Sequence, residues 1–381
     1  MIYIPQLQFE NLTRLLRPGK VVVLYGPRRV GKTTLINRFI KDIPANQEKL
    51  LFVNGDDIFV RQSLGTQSIN KLRDFVGNHT LLVIDEAQYV EKIGLNLKLI
   101  VDHLPHIKII ATGSSSFSLA KDIGEPLTGR KYTLKLYPLA QMEIAATEKP
   151  HETTANLENR LLYGSYPEVV TMNDNAQREL YLRELTSSYL FKDILELEGI
   201  RHSQKLTRLL QLLAFQIGKE VSLNELGAQL GMSKNTVERY IDLLVKAFVI
   251  FIRRGFSRNL RKEISKNHRI YFYDTGIRNA LIGNFNPVDI RNDVGQLWEN
   301  YIVVERMKVN DYRGIAAASY FWRTYDKKEI DLVEEHQGEL HGFEIKWQNR
   351  KVKIPGDWIQ AYPDAQFQVI HRENYLRFIT W

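Results

Sequence analysis

The stretch from Lys20 to Asn37, KVVVLYGPRRVGKTTLIN, constrains the fold more than any other: an apolar β-branched run, a glycine-bounded loop and a helical pattern follow one another without a break. The loop fits G-x-x-x-x-G-K-[ST] from Gly26 to Thr33. That spacing has a physical reason. The backbone of Gly26, Pro27, Arg28, Arg29, Val30 and Gly31 can curl around a β-phosphate, while the helix opening at the loop's end points its positive dipole at the anion. Lys32 then reaches the β/γ oxygens, Thr33 offers its hydroxyl to Mg²⁺, and the backbone as far as Thr34 completes the cradle.

A phosphate loop of this kind needs an acidic partner at the end of a neighbouring strand, and Leu81-Leu82-Val83-Ile84-Asp85-Glu86 supplies one. Asp85 is placed for the Mg²⁺ shell and Glu86 for orienting and polarising an attacking water. Taken with the loop, this pair points to binding and hydrolysis of ATP or GTP; no N-K-x-D-type segment stands out, which favours ATP. A third strand is expected over residues 107–112. Thr112 and Ser114 at its end either sense the γ-phosphate or form an ordinary Ser/Gly turn. Arg130, just before the alternating run KYTLKLYPL, is either an arginine finger in cis or from a neighbouring subunit, or a structural ion-pair residue.

Composition narrows the rest. The chain has 381 residues with 44% hydrophobic and 25% charged side chains, enough for two to three globular domains. It has no Cys, so disulfides, thiol nucleophiles and thiolate metal sites are excluded, and its nine His show no H-E-x-x-H spacing. No long apolar run or export signal is visible, which leads us to expect no membrane partner and a cytoplasmic location. The net charge of +8 is concentrated: residues 201–285 hold 15 Lys/Arg against 6 Asp/Glu. Such a segment is an electrostatic footprint for nucleic acid, although a solvated basic face is the commoner cause.

Within that segment, Ser222 and Glu225 frame a short helix to Leu230, Gly231-Met232 turns the chain, and Ser233 caps a second helix to Leu244. This is a helix-turn-helix layout. Val237, Ile241, Leu244 and Val245 are expected inside, with Lys234, Asn235, Arg239 and Thr236 outside. Residues 249–252 and 270–273 then read as paired strands around a loop carrying Arg253, Arg254, Arg258, Arg261, Lys262, Lys266 and Arg269 against the single acid Glu263. A winged helix with a basic wing results, suited to sequence-tolerant contact with DNA phosphates, though the same fold also serves protein partners. Before it, residues 141–200 show helical spacing interrupted at Gly164-Ser165-Tyr166-Pro167, and we read a helical lid.

After Pro287 come a helix over residues 295–306 and three strands, over 319–323, 329–334 and 340–346. Glu344 and Lys346 share one strand face, and a hairpin would bring Asp331 beside Glu344. Two carboxylates and a lysine in that arrangement suit Mg²⁺ or Mn²⁺, with Lys346 stabilising an attacking hydroxide.

The segments GPRRVGKTT, LLVIDEAQ, IIATGSSSF and LTGRKYTLKLYPL resemble the bacterial and archaeal AAA-type ATPases whose C-terminal half is the domain family DUF4143. LLYGSYPEVV, YFYDTGIRNAL, GQLWENYIVVE and EIDLVEEHQGELHGFEIKW fit the same pattern, so nearly the whole chain is covered. The resemblance implies an α/β multidomain chain. A P-loop AAA-like parallel sheet core spans 1–145, a helical lid 146–205, a winged helix 206–285, and a restriction-endonuclease-like α/β domain 286–381. The last resembles the Asp…Glu-x-Lys nucleases, which adds Glu299 as a further acidic ligand, although Ile330 stands where those nucleases carry Pro. The reading is an ATPase coupled to DNA engagement, with a metal-dependent nuclease or a degenerate clamp at its end, and self-association open. Its alternative is a nucleotide-controlled protein-interaction switch.

Overall fold

A computed structural model describes residues 3–44, 47–113, 126–189, 203–258 and 268–381. These fall into two compact units, one of residues 5–138 with 246–248, the other of residues 139–245 and 249–381 with Tyr3 and Ile4. The stretch that the sequence divides into 146–205, 206–285 and 286–381 therefore forms one unit.

In the first unit, β1 (Lys20–Tyr25), β3 (Leu81–Asp85) and β4 (Lys108–Gly113) are apolar runs buried almost end to end, as central strands covered on both faces must be. The flanking β2 (Leu50–Asn54) and β5 (Lys131–Lys135) are only partly buried. The order is β2-β3-β4-β1-β5, and every pairing is parallel. Tyr25 pairs with Gly113, and Ile84 with Ala111, so the loops after β1, β3 and β4 leave from one edge of the sheet. Helices α1 (Gln8–Leu15), α2 (Lys32–Asp42), α3 (Ile58–Leu64), α4 (Ile69–Val76) and α5 (Ile93–His103) accompany the sheet.

The second unit begins with five short helices, 141–145, 150–155, 157–163, 167–171 and 175–184. The break read at Gly164 to Pro167 is present, and two glycines explain how it closes. Gly164 has φ 72°, and a Cβ there would lie 2.1 Å from Asp274 Oδ1; a Cβ on Gly276 would lie 2.1 Å from the Tyr163 carbonyl oxygen. That close approach lets Asp274 accept the Ser165 N–H at 2.7 Å while capping the helix Thr275–Ile282 through Ile277 N–H at 3.0 Å. Three further helices, 203–215, 223–230 and 234–246, precede the antiparallel pair β6 (Ile250–Arg254) and β7 (His268–Phe272).

A 20-residue helix, Val294–Arg313, then runs to Gly314, whose left-handed φ of 68° ends it. It packs Leu297, Trp298, Tyr301 and Ile302 with Leu332, Phe343 and Ile345. These belong to a sheet ordered β11-β10-β9-β8, with β8 at Ala318–Arg323, β9 at Glu329–His336, β10 at Glu339–Ile345 and β11 at Gln366–Ile370. A second cluster of Phe256, Trp322, Ile330, Val333 and Trp358 completes the core of this unit. No helix among the described residues is long and apolar enough to cross a membrane.

Candidate functional site

The loop from Gly26 to Gly31 leaves the sheet edge directly after β1. Gly26 is pressed against β5's continuation: a Cβ there would meet the Leu136 carbonyl oxygen at 2.1 Å. Arg29 (φ 65°) and Gly31 (φ 96°) take left-handed backbone and turn the loop into α2. Gln6 supports it from outside, donating to the Val30 carbonyl at 2.9 Å. Lys32 is buried and donates to the Gly26 and Pro27 carbonyls at 2.9 and 2.8 Å, so its ammonium already spans the loop.

Thr33 hydroxyl donates to Asp85 Oδ2 at 2.9 Å, which joins the start of α2 to the end of β3. The other Asp85 oxygen accepts the fully buried Thr112 hydroxyl and, at 3.2 Å, the Glu86 N–H. Thr112 hydroxyl also accepts the Glu86 N–H at 3.2 Å and so links both carboxylate residues at the end of β3; Ser114 lies outside the described residues. Glu86 sits in left-handed backbone (φ 51°, ψ 42°) and accepts Gln88 Nε2 at 2.5 Å. Gly55 makes that turn possible, because a Cβ there would come within 2.3 Å of the Glu86 carbonyl oxygen. The oxygens of Thr33 and Asp85 form a hard donor pair suited to Mg²⁺. Gln6, Gly55, Gln88 and the Asp85–Thr112 bond carry no local sequence signal.

Arg130 is placed elsewhere. It precedes β5 in a parallel sheet, at the edge opposite the phosphate loop, and pairs with Asp102 at 2.6 Å. Action on phosphates of its own chain is excluded by that placement, and the ion-pair reading fits.

On the helix-turn-helix, Ser222 accepts the Glu225 N–H at 3.3 Å and Ser233 the Thr236 N–H at 3.2 Å, the caps the sequence announces. Val237, Tyr240, Ile241, Leu243 and Leu244 face inward, while Val245 is only partly covered. Lys234, Asn235 and Arg239 are exposed, interleaved with exposed Glu238 and Asp242. Along β6 the alternation separates two arginines: Arg254 is exposed, but Arg253 is buried over the rings of Phe251 and Tyr271 at 5.8 and 5.9 Å. Burial lowers the Arg253 pKa. Its assignment to DNA is therefore corrected. Arg258 pairs with Glu335, and Arg261, Lys262 and Lys266 lie outside the described residues.

Arg269, expected on the basic wing, is the largest departure. It is 3% exposed and its guanidinium bonds Glu329 at 2.7 Å and Glu299 at 3.3 Å, with Asp331 at 3.6 Å. The predicted cluster does assemble around it. Lys346 lies 2.6 Å from Glu344 and 3.5 Å from Asp331, just beyond the Phe343–Leu332 pair of the β9–β10 hairpin. Burial, then the Asp331 charge, raises Glu299 to about 8 and Glu344 to about 7. For Lys346, burial opposes the charge but Asp331 and Glu344 outweigh it and raise the pKa. The Mg²⁺ or Mn²⁺ expected at Glu299, Asp331 and Glu344 does not fit this arrangement, because Arg269 and Lys346 place a cation against an oxygen of each of the three. Among the described residues no group of three or more His, Asp or Glu side chains is arranged to hold a metal.

Comparison with known proteins bears on the same segments. The AAA domain family matches residues 18–145, the domain of unknown function DUF8612 residues 154–288, and DUF4143 residues 294–370. An uncharacterized protein of Mycobacterium tuberculosis is 26% identical over 340 residues, covering 88% of this chain and 72% of that one. One from Haemophilus influenzae is 25% identical over 345 residues, covering 84% and 80%. Among solved structures, replication initiator DnaA bound to AMPPCP and single-stranded DNA matches at 15% identity and TM-score 0.34, covering 64% of this chain and 90% of that one. Drosophila ORC bound to DNA matches at 15% identity and TM-score 0.27, covering 73% and 94%. Superpositions this loose carry no residue-by-residue correspondence. The sequence matches are firmer, and with the first and last of them in place the chain has the architecture of an AAA-like ATPase with a C-terminal DUF4143 domain.

Proposed function

We propose that the chain is a Mg²⁺-dependent ATPase whose nucleotide state governs engagement of DNA by the helix-turn-helix and hairpin of residues 206–285, acting as a winged helix. The observation that carries the first half is the Thr33–Asp85–Thr112–Glu86 network at the open edge of the parallel sheet. Nucleotide binding exchanges the two carbonyl partners of Lys32 for phosphate oxygens, so the buried ammonium keeps partners throughout. Mg²⁺, when bound by Thr33 and through the shell of Asp85, neutralises charge on the β- and γ-phosphates. Glu86 accepts a proton from water as its oxygen attacks the γ-phosphorus. The bond to the β–γ bridging oxygen breaks, and ADP and phosphate leave.

Gln88 holds the Glu86 carboxylate and makes it a positioned group rather than a free side chain. Replacing Glu86 with Gln is expected to cut ATP turnover by about 10²–10³-fold while leaving ATP affinity within a few fold, measured by phosphate release and by binding of a fluorescent analogue. Loss of ATP binding with an intact fold would contradict the role assigned to Glu86. Competition of ATP against GTP checks the base preference.

DNA engagement rests on the exposed Lys234, Asn235, Arg239 and Arg254. A second reading, a nucleotide-controlled protein-interaction switch, draws on Glu238 and Asp242, which place acid on the face that would meet phosphates. Affinity for duplex DNA at low salt, falling steeply with added salt, decides for the first; undetectable affinity decides for the second. Cleavage by the C-terminal module forms no part of either, since no metal fits its carboxylates as they stand.

A further inference from the structure

Arg269 comes to the C-terminal sheet from outside it. It lies on β7, one strand of the hairpin, and its backbone bridges Glu220, which in turn holds Arg323 of β8 at 2.8 Å. The other hairpin strand docks on β8 directly: Phe256 N–H donates to the Phe321 carbonyl at 2.7 Å, and Gly255 bridges Phe321. The Phe321 ring lies under the Arg269 guanidinium at 4.7 Å. Held between this ring and three carboxylates, the guanidinium has its position fixed from both strands of the hairpin.

Four carboxylates, Glu299, Glu329, Asp331 and Glu344, meet two cations, Arg269 and Lys346. Both oxygens of Asp331 and one each of Glu299 and Glu344 are engaged by protein donors. Asp331 Oδ1 faces Arg269, and its Oδ2 accepts the Ile345 N–H at 2.9 Å with Lys346 at 3.5 Å. Glu299 Oε1 accepts the Tyr271 hydroxyl at 2.7 Å and Arg269 at 3.3 Å, and Glu344 Oε1 takes Lys346.

We propose that Arg269 is the resident cation of this cluster, filling with its guanidinium the charge position a divalent ion would take, so that the C-terminal module as folded takes up no Mg²⁺ or Mn²⁺ while that side chain is in place. Arg269 belongs to the hairpin, whereas the oxygens it covers belong to β9, through Glu329 and Asp331, and to the helix Val294–Arg313, through Glu299. Guanidinium and divalent ion therefore compete for the same carboxylate oxygens, and removing the guanidinium is what opens the charge position to an ion. The inference is independent of nucleotide hydrolysis and of DNA binding.

The test is Mn²⁺ uptake by the full-length, nucleotide-free protein, read from loss of the free-Mn²⁺ electron paramagnetic resonance signal. Wild type, Asp331→Asn, Arg269→Gln and Arg269→Gln/Asp331→Asn are compared, and uptake at the phosphate loop is common to all four. Arg269→Gln is expected to gain one equivalent bound at least tenfold more tightly than any cluster ion in wild type, and Asp331→Asn to abolish the gain. No gain in Arg269→Gln, or an equivalent in wild type that Asp331→Asn removes, overturns the proposal. Should Arg269→Gln not fold, Glu329→Gln loosens the guanidinium by removing its most exposed partner. Mn²⁺ uptake gained there and lost with Asp331→Asn supports the proposal, and unchanged uptake overturns it.

Discussion

Replacing Gly26 with Ala separates the phosphate loop's geometry from its composition. The added Cβ would stand 2.1 Å from the Leu136 carbonyl oxygen, 3.0 Å from its carbon and 3.3 Å from Val30 Cγ2. Relief requires a separation of about 1 Å, and both ways of reaching it are costly. If Leu136 retreats, the bond from its N–H to the Tyr25 carbonyl, now 2.6 Å, is lost, at about 1–3 kcal/mol for a buried backbone group plus about 1–3 kcal/mol of overpacking. If the loop retreats instead, a shift of about 1 Å in groups that position phosphate costs on the order of 100-fold in turnover. Gly129→Ala is the control. It has φ 74° with no atom within 4 Å of a Cβ, so only left-handed strain of about 1–2 kcal/mol is incurred. Amide exchange of residues 20–25 and 131–136 reads the first route, and binding of a fluorescent ATP analogue with phosphate release reads the second. A Gly26→Ala protein with wild-type nucleotide handling, and exchange no faster than in Gly129→Ala, would refute the contact as the reason for glycine.

Other expectations follow from the second unit. Glu299 holds its proton up to about 8 in the fold but releases it near 4.5 when unfolded, so its contribution to stability is complete below about 4.5 and lost as pH rises to 8. Glu299→Gln should flatten the decline of melting temperature over that window, leaving the smaller part from Glu344, which ends near 7; an unchanged slope would contradict the burial argument. Arg254→Ala should lower the slope of log affinity for DNA against log salt by about 1 without loss of stability. Arg253→Ala should leave that slope alone and destabilise the fold, because its side chain lies inside; equal salt slopes for the two variants would show that burial does not sort them.

The division between these two arginines also shows what the sequence made legible. Phe251, Ile252, Arg253 and Arg254 alternate, and a period of two places Arg253 with Phe251 and Arg254 with exposed Ile252. Net charge along the segment does not distinguish inward from outward positions, whereas this alternation does. The same holds for Arg269, two residues before buried Tyr271. Motifs whose chemistry depends on neighbouring positions, from Gly26 to Thr33, at Asp85-Glu86 and at the capped helices, were readable because spacing alone expresses them. The edge strands β2 and β11, only partly buried, lacked a pattern strong enough to announce them. Gln6 to Val30 and Thr112 to Asp85 span 24 and 27 residues, and nothing near either residue encodes such a partner.

The junction between Gly164 and Asp274 has a meaning for how such a chain can change. Ser165 and Asp274 are fastened across 109 residues, with Thr275 hydroxyl donating to the Arg160 carbonyl at 2.8 Å and Asn279 to those of Leu161 and Leu162. The chain thus departs and returns through one clasp. Doubling the length of an excursion closed in this way costs only about 0.6 kcal/mol of added loop entropy. Insertions at exposed positions between the two ends are cheap, whereas Phe251, Arg253, Phe256 and Tyr271, which the excursion contributes to the interior, resist exchange. The clasp thus fixes where the excursion begins and ends, so added length is absorbed on its surface while its inward-facing residues keep their packing.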